Sequence, residues 1–208
     1  MGTVEKVFDK ITENFNILVN CAGVYPTTDA LGISGFEWAQ VLTLDLTVPF
    51  FMSQKAAQRW ISEGKQGTIV QISSTASTMV RPGIAHYGSA KAGLSMLTRV
   101  LAVEWAKYGI RVNAVGPGLV ITETGEEMLK NSIEQHRHAQ KLRRIPLGRT
   151  ADPVEIAHSV SFLVSERAAY ITGQTLFVDG GYTAGSAFQD VENASHVPHD
   201  YADKCFYK

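Results

Sequence analysis

The chain has 208 residues, 45% apolar and 19% charged, with a formal net charge of −1. That length is enough for one hydrophobic core, and the balance excludes a disordered chain. The near-neutral charge excludes a whole-protein field directed at nucleic acid or an anionic membrane, and no apolar run reaches the ~18 residues that span a bilayer.

The N-terminal stretch M-G-T-V-E-K-V-F-D-K is charged and amphipathic, without the apolar core of a signal peptide. The run I-L-V-N-C-A at 17–22 predicts a strand buried on both faces, because it is continuous rather than alternating. A helical pattern covers about 36–63, and T-I-V-Q-I-S at 68–73 predicts a second strand. A helix over 86–108 leads to a third strand, I-R-V-N-A-V, at 110–115. Helical patterns over 125–143 and 152–165 precede a fourth strand, Q-T-L-F-V, at 174–178. The helix at 152–165 has the sharpest start: Asp152 suits the N-cap, Pro153 the first helical position, and Glu155 completes a capping box. Strand–helix alternation of this kind implies an α/β fold, a parallel sheet with helices on both faces. Periodicity stops near Gly185, which divides the chain into a domain at 1–184 and a tail at 185–208. Cys21 and Cys205 form neither a disulfide framework nor a metal spacing, and His196 and His199 lack the remaining ligands of a metal site. The expectation is a metal-free protein of the reducing cytoplasm.

Tyr87 and Lys91 form Y-x-x-x-K on a predicted helix, and a spacing of four puts both on one face. A phenol ordinarily titrates near 10, too high for proton transfer at neutral pH. An adjacent ammonium favours the phenolate and makes the group usable as a general acid–base. Ser73 and Ser74 close the preceding strand, and chemistry in parallel sheets sits at carboxyl ends of strands. Asn20-Cys21-Ala22-Gly23 ends the first strand, and Pro117-Gly118 with Thr122 ends the third. Small and polar groups at three consecutive strand ends build the floor of a crevice.

Five motifs occur in order: N-C-A-G at 20–23, I-V-Q-I-S-S at 69–74, Y-G-S-A-K at 87–91, N-A-V-G-P-G at 113–118 and V-D-G-G at 178–181. Their order and spacing resemble the short-chain dehydrogenase/reductase family over roughly residues 5–183. The resemblance implies a Rossmann-like fold and an NAD(P)-dependent oxidoreductase. It makes Tyr87 the proton donor or acceptor, Ser74 the catalytic serine, and Lys91 the group that lowers the phenol pKa and holds the nicotinamide ribose. Ser73 then serves as a neighbour capping local backbone. Asn20, Ala22 and Gly23 are expected on the adenosine side of the cofactor, NAD or NADP. Pro117, Gly118, Val120 and Thr122 are expected against the nicotinamide and its phosphate.

Two departures stand out. Where the family has an asparagine whose backbone carbonyl holds a relay water, this chain has Asp45. Pro49, four residues on, has no N–H, so the carbonyl of residue 45 lacks its helical partner whatever the side chain. A relay and a simple proline kink both fit, and a carboxylate here would stabilise Lys91 as a cation. The second departure is that no G-x-G-x-x-G or T-G-x-x-x-G-x-G occurs anywhere in the chain. Residues 4–15 look like the helix that precedes the N-C-A-G strand. The chain therefore reads as N-terminally truncated, by on the order of 60 residues at roughly 30 per βαβ unit. The strand at 17–22 would then be an exposed apolar edge unless another chain covers it.

Residues 126–144 fall at the family's substrate lid, where His136, His138, Lys141, Arg143 and Arg144 could attract a phosphate, carboxylate or polyol; a solvated charged face is the alternative. His86 is expected at the substrate mouth. The helices at 36–63 and 86–108 match those that pair in family dimers, which predicts a homodimer or homotetramer, with Phe50, Phe51, Trp60, Leu97 and Trp105 as contacts or core. Expected partners are a small-molecule substrate, no nucleic acid and no membrane. Two functions follow. One is hydride transfer to or from a polyol, sugar or 3-oxoacyl substrate; the other is a truncated, non-catalytic dimerisation partner of a full-length relative.

Overall fold

Burial of two continuous apolar strands organises the chain. The structure, a computed structural model, describes residues 2–121 and 131–185. Four parallel strands, β1 (Ile17–Asn20), β2 (Gly67–Ile72), β3 (Ile110–Pro117) and β4 (Thr175–Val178), lie side by side in chain order. The helices are α1 (Gly2–Lys10), α2 (Gly35–Leu42), α3 (Val48–Ser62), α4 (Ala85–Trp105), α5 (Ser132–Leu142) and α6 (Pro153–Val164). The expected capping box of α6 is present, with Asp152 and Glu155 each accepting a backbone N–H of the other's end.

Successive residues of β2 face opposite ways, and both faces are covered. Ile69 joins Ala56, Trp60, Leu101 and Val112 in a core beneath α3 and α4. Val70 packs with Val115 and Leu163 beneath α6. The expected parallel sheet with helices on both faces is therefore the observed one. β2 and β3 are buried throughout most of their length, as continuous apolar runs require. The continuous apolar runs of β1 and β4 suggest burial on both faces, but these strands are the edges of this sheet; Ile17 and Val19 of β1 are exposed, the exposed apolar edge expected for that strand. Cys21 and Ala22 lie beyond β1 in an exposed loop.

Three expectations shift at their boundaries. The first helix stops at Lys10 rather than residue 15, because the chain turns to set Phe15 edge-on against Trp60. The freed carbonyls of Ile11 and Glu13 accept from Arg59, and that of Phe15 from the Trp60 indole. The helix expected over 36–63 is one rod interrupted by a π-turn at Thr43–Thr47. Of the helix expected over 125–143, Ser132–Leu142 is helical, and 122–130 lies outside the described residues, as does the tail from 186.

Gly67 opens β2 against the fully buried Trp60 ring, which a Cβ at that position would overlap. Gly67→Ala is expected to destabilise the fold by about 1–3 kcal/mol, the range for overpacking a rigid core. Chemical denaturation checks this, and an unchanged midpoint would show that the ring has room to move.

Candidate active site

The strand ends and α4 converge on one phenol. Ser74 leaves β2 in extended conformation and caps the following turn, its Oγ accepting from the Ala76 N–H at 3.1 Å. The same hydroxyl lies close enough to the Tyr87 phenol to favour its ionised form. One turn along α4, the buried Lys91 ammonium donates to the Ile72 carbonyl at the end of β2, 2.9 Å away, and lies 5.6 Å from the Tyr87 ring centre. Ser73 donates to the Lys91 carbonyl and shares a 2.9 Å contact with Ser95. It thus ties the strand end to α4 rather than capping its own turn.

Asp45 sits in the π-turn. Pro49 cannot donate to the carbonyl four residues before it, and a π-turn is the local adjustment that absorbs the missing bond and the ring's bulk. The wide turn carries the fully buried Asp45 carboxylate toward the loop after β1. Oδ2 accepts from the Val24 N–H at 3.2 Å, and Oδ1 lies 3.0 Å from the Lys91 ammonium. Oδ1 has no hydrogen bond of good angle besides that ion pair.

This pair corrects one expectation. Lys91 was expected to lower the Tyr87 pKa, yet the phenol is held above its ordinary value. Burial is the main cause, and the Asp45 carboxylate pushes the same way; the Ser74 hydrogen bond and the Arg81 guanidinium oppose them. With its charge matched by Asp45 at 3.0 Å, Lys91 presents the phenol with a near-neutral pair rather than a lone cation.

The positions expected to hold cofactor divide by direction. The Asn20 carboxamide is turned inward, donating to Gln71 at 2.9 Å and Ser53 at 3.1 Å, so it braces β1 against α3 and β2. Ala22 and Gly23 are exposed in the loop after β1, beside the Asp45–Lys91 pair. A Cβ on Gly23 would lie 2.5 Å from Asp45 Oδ1, so only glycine lets this backbone approach so closely. Pro117 pairs with Val178, Gly118 donates to the Val178 carbonyl, and Val120 bridges to Ala151. Thr122 lies outside the described residues. These residues fit the nicotinamide–ribose half of a dinucleotide: bare backbone at Gly23 flanks an ammonium that donates to Ile72 and is ion-paired with Asp45, with N–H capacity left over. The chain contains no glycine-rich phosphate turn, so the fit extends to that half alone.

Beside Tyr87 lies a cavity of about 520 Å³, whose wall includes Tyr25, Ser74, Arg81 and Arg144 as well as Gly118 and Val120 of the positions expected to hold cofactor. Tyr25 packs edge-on against Tyr87 with ring centres 4.6 Å apart, and Arg81 lies over the Tyr25 ring at 4.9 Å. Of the five basic lid candidates, Lys141 and Arg144 line this cavity; His136, His138 and Arg143 are not among its lining residues. Tyr25 and Arg81 were not singled out in the sequence, since neither belongs to a periodic pattern or a spaced motif. His86 is not at the mouth. It is fully buried, with Nδ1 accepting the Tyr87 N–H and Nε2 3.2 Å from Glu37, which also accepts from Thr28. A backbone N–H can only donate, so the proton of the neutral ring sits on Nε2.

Comparison with known proteins agrees with this geometry. A family model described as enoyl-(acyl carrier protein) reductase matches residues 1–183. The chain is 37% identical over 171 residues to 2-dehydro-3-deoxy-D-gluconate 5-dehydrogenase of Escherichia coli strain K12, covering 82% of this chain and 66% of that protein. It is also 37% identical over 182 residues to a 3-oxoacyl-(acyl-carrier-protein) reductase of Vibrio cholerae serotype O1, covering 86% of this chain and 72% of that one. The chain thus spans roughly two thirds of the length of these relatives. A solved 4-hydroxyisoleucine dehydrogenase complexed with NADH superposes with a TM-score of 0.81 at 32% identity, covering 89% of this chain and 75% of that one. Other similar solved structures carry NADP.

Proposed function

Since the chain belongs to the short-chain dehydrogenase/reductase family, we propose that it is an NAD(P)-dependent oxidoreductase of a small carbonyl or secondary alcohol, with Tyr87 as its acid–base group. The observation that carries this reading is the half-buried phenol beside Ser74 and flanked by the Lys91–Asp45 pair, at the carboxyl end of β2. When bound, the cofactor supplies or accepts the hydride. In reduction, Tyr87 transfers its phenolic proton to the carbonyl oxygen as the carbon gains the hydride, so the product is a neutral alcohol. Ser74 donates a hydrogen bond to that same oxygen and fixes it in line with the phenol. Lys91 would offer its remaining N–H capacity to the ribose hydroxyls, beside the backbone of Gly23. Oxidation runs the same atoms backwards, beginning from the phenolate.

The named relatives act on a sugar acid and on a 3-oxoacyl group. Polyols, sugars and 3-oxoacyl thioesters are accordingly the substrates to try first. We place the work in the cytoplasm, where the free, exposed Cys21 thiol suits a reducing medium. A homodimer or homotetramer through the long helices is supported by exposed Met96, Val100 and Val103 on α4. Of the residues expected as contacts or core, Trp60 is fully buried in the core, and Phe50, Leu97 and Trp105 pack on it.

The test is a fluorescence titration of the purified chain with NADH and with NADPH. Saturable binding of either is expected. No binding up to millimolar cofactor would contradict the reading and leave the chain a non-catalytic dimerisation partner.

A further inference from the structure

The cavity beside Tyr87 is lined by three cations, Arg81, Lys141 and Arg144, and by no carboxylate among the described residues. None of the three forms an ion pair with an acid of the described residues. The cavity touches Ser74 and Tyr87, and on one side Gly118 and Val120, the positions expected against the nicotinamide, but not Asn20, Gly23 or Lys91. It therefore adjoins the nicotinamide end of the site and lies away from the loop after β1. Arg81 is the best placed of the three. Its guanidinium lies over the Tyr25 ring, which itself packs on Tyr87, so the cation sits one ring away from the reacting phenol. Arg144 is similarly set over the Tyr182 ring at 5.5 Å. Aromatic faces hold a guanidinium in place without neutralising it, and leave its N–H fork free for an anion. Partial burial lowers the Arg81 pKa, with the Tyr182 and Tyr87 phenols opposing it.

Building on the oxidoreductase reading, we propose that this cavity binds the anionic end of the substrate, a carboxylate or phosphate a few atoms from the reacting carbonyl. Arg81 is its principal ligand, and Arg144 and Lys141 line the same cavity. The site selects oxo acids and hydroxy acids, or their phosphorylated counterparts, over uncharged ketones and alcohols. Charge-assisted, bidentate hydrogen bonds to a planar guanidinium are the strong kind, and an uncharged analogue would leave the desolvated cation unmatched.

The test has two arms. In the first, the full chain is given matched pairs with NAD(P): D-gluconate against D-sorbitol, and 3-oxobutanoate against its methyl ester. The acid of at least one pair is expected to show kcat/KM about 10–100-fold higher than its neutral partner. Arg81→Gln should collapse that ratio, and Arg143→Gln, which alters an exposed cation outside the cavity, should leave it intact. In the second arm, calorimetry measures malonate and inorganic phosphate on the chain without cofactor. Binding of either anion, weakened about tenfold or more by Arg81→Gln, is expected, and the better-bound anion identifies the terminus. Neutral partners turned over as well as the acids, or a ratio indifferent to Arg81→Gln, would overturn the proposal and leave the oxidoreductase reading standing. Anion binding through Arg81 with no turnover of any pair would uphold the anion site and count against the oxidoreductase reading. No anion binding up to millimolar concentration, with no turnover, would overturn both.

Discussion

Tyr87→Phe is expected to lower kcat/KM by about 10²–10⁴-fold, the usual worth of a positioned acid–base group. The phenylalanine ring keeps the edge-on contact with Tyr25, so the loss follows from the missing hydroxyl and not from lost packing. Ser74 cannot substitute, because its hydroxyl titrates far above neutral pH and its Oγ already accepts the Ala76 N–H. Unchanged thermal unfolding of the variant separates the chemical role from a structural one. A Tyr87→Phe protein that retains full turnover would place the proton transfer elsewhere.

The second large effect concerns stability. Asp45→Ala removes one partner of an ion pair whose side chains are 0% and 5% exposed, and it leaves the Lys91 ammonium buried with only a carbonyl. A loss of about 3–5 kcal/mol in unfolding free energy is expected, measured by denaturant titration. Asp45→Asn reads a different property. The amide keeps the shape and removes the negative charge that raises the Tyr87 pKa, so the phenol should ionise at lower pH than in the parent. Alcohol oxidation needs the phenolate, so its rising limb should move to lower pH; carbonyl reduction needs the phenol, so its falling limb should move the same way. A profile that does not move would show that the carboxylate acts on Lys91 alone.

Much of this arrangement was legible in the residues. The strands β2 and β3 declare themselves as continuous apolar runs because both their faces are covered. The same pattern misleads at β1, where Ile17 and Val19 are apolar yet exposed at a sheet edge. Periodicity places Tyr87 and Lys91 on one helical face, and the strand-end rule places Ser74 opposite them. The consequence of Asp45 was half legible: Pro49 foretells a disrupted turn. That the turn would be a π-turn carrying the carboxylate to Lys91 depends on tertiary contacts of Asp45 with the loop after β1 and with α4. His86 shows the limit of neighbourhood reasoning, since a residue beside Tyr87 on a helix points about 100° away and enters the core. Arg81 and Tyr25 lie 56 residues apart in the chain and meet only when the loops after β1 and β2 fold over the same strand ends.

The most direct test of the central claim follows the hydride itself. The chain would be incubated with reduced cofactor deuterated at the reactive carbon of the nicotinamide and with the carbonyl substrates above, and the products examined by mass spectrometry. Deuterium on the carbinol carbon of the product, present with the parent chain and lost with Tyr87→Phe, is the predicted result. Cofactor bound without any label transferred, or label transferred equally by both proteins, would contradict the assignment of this site.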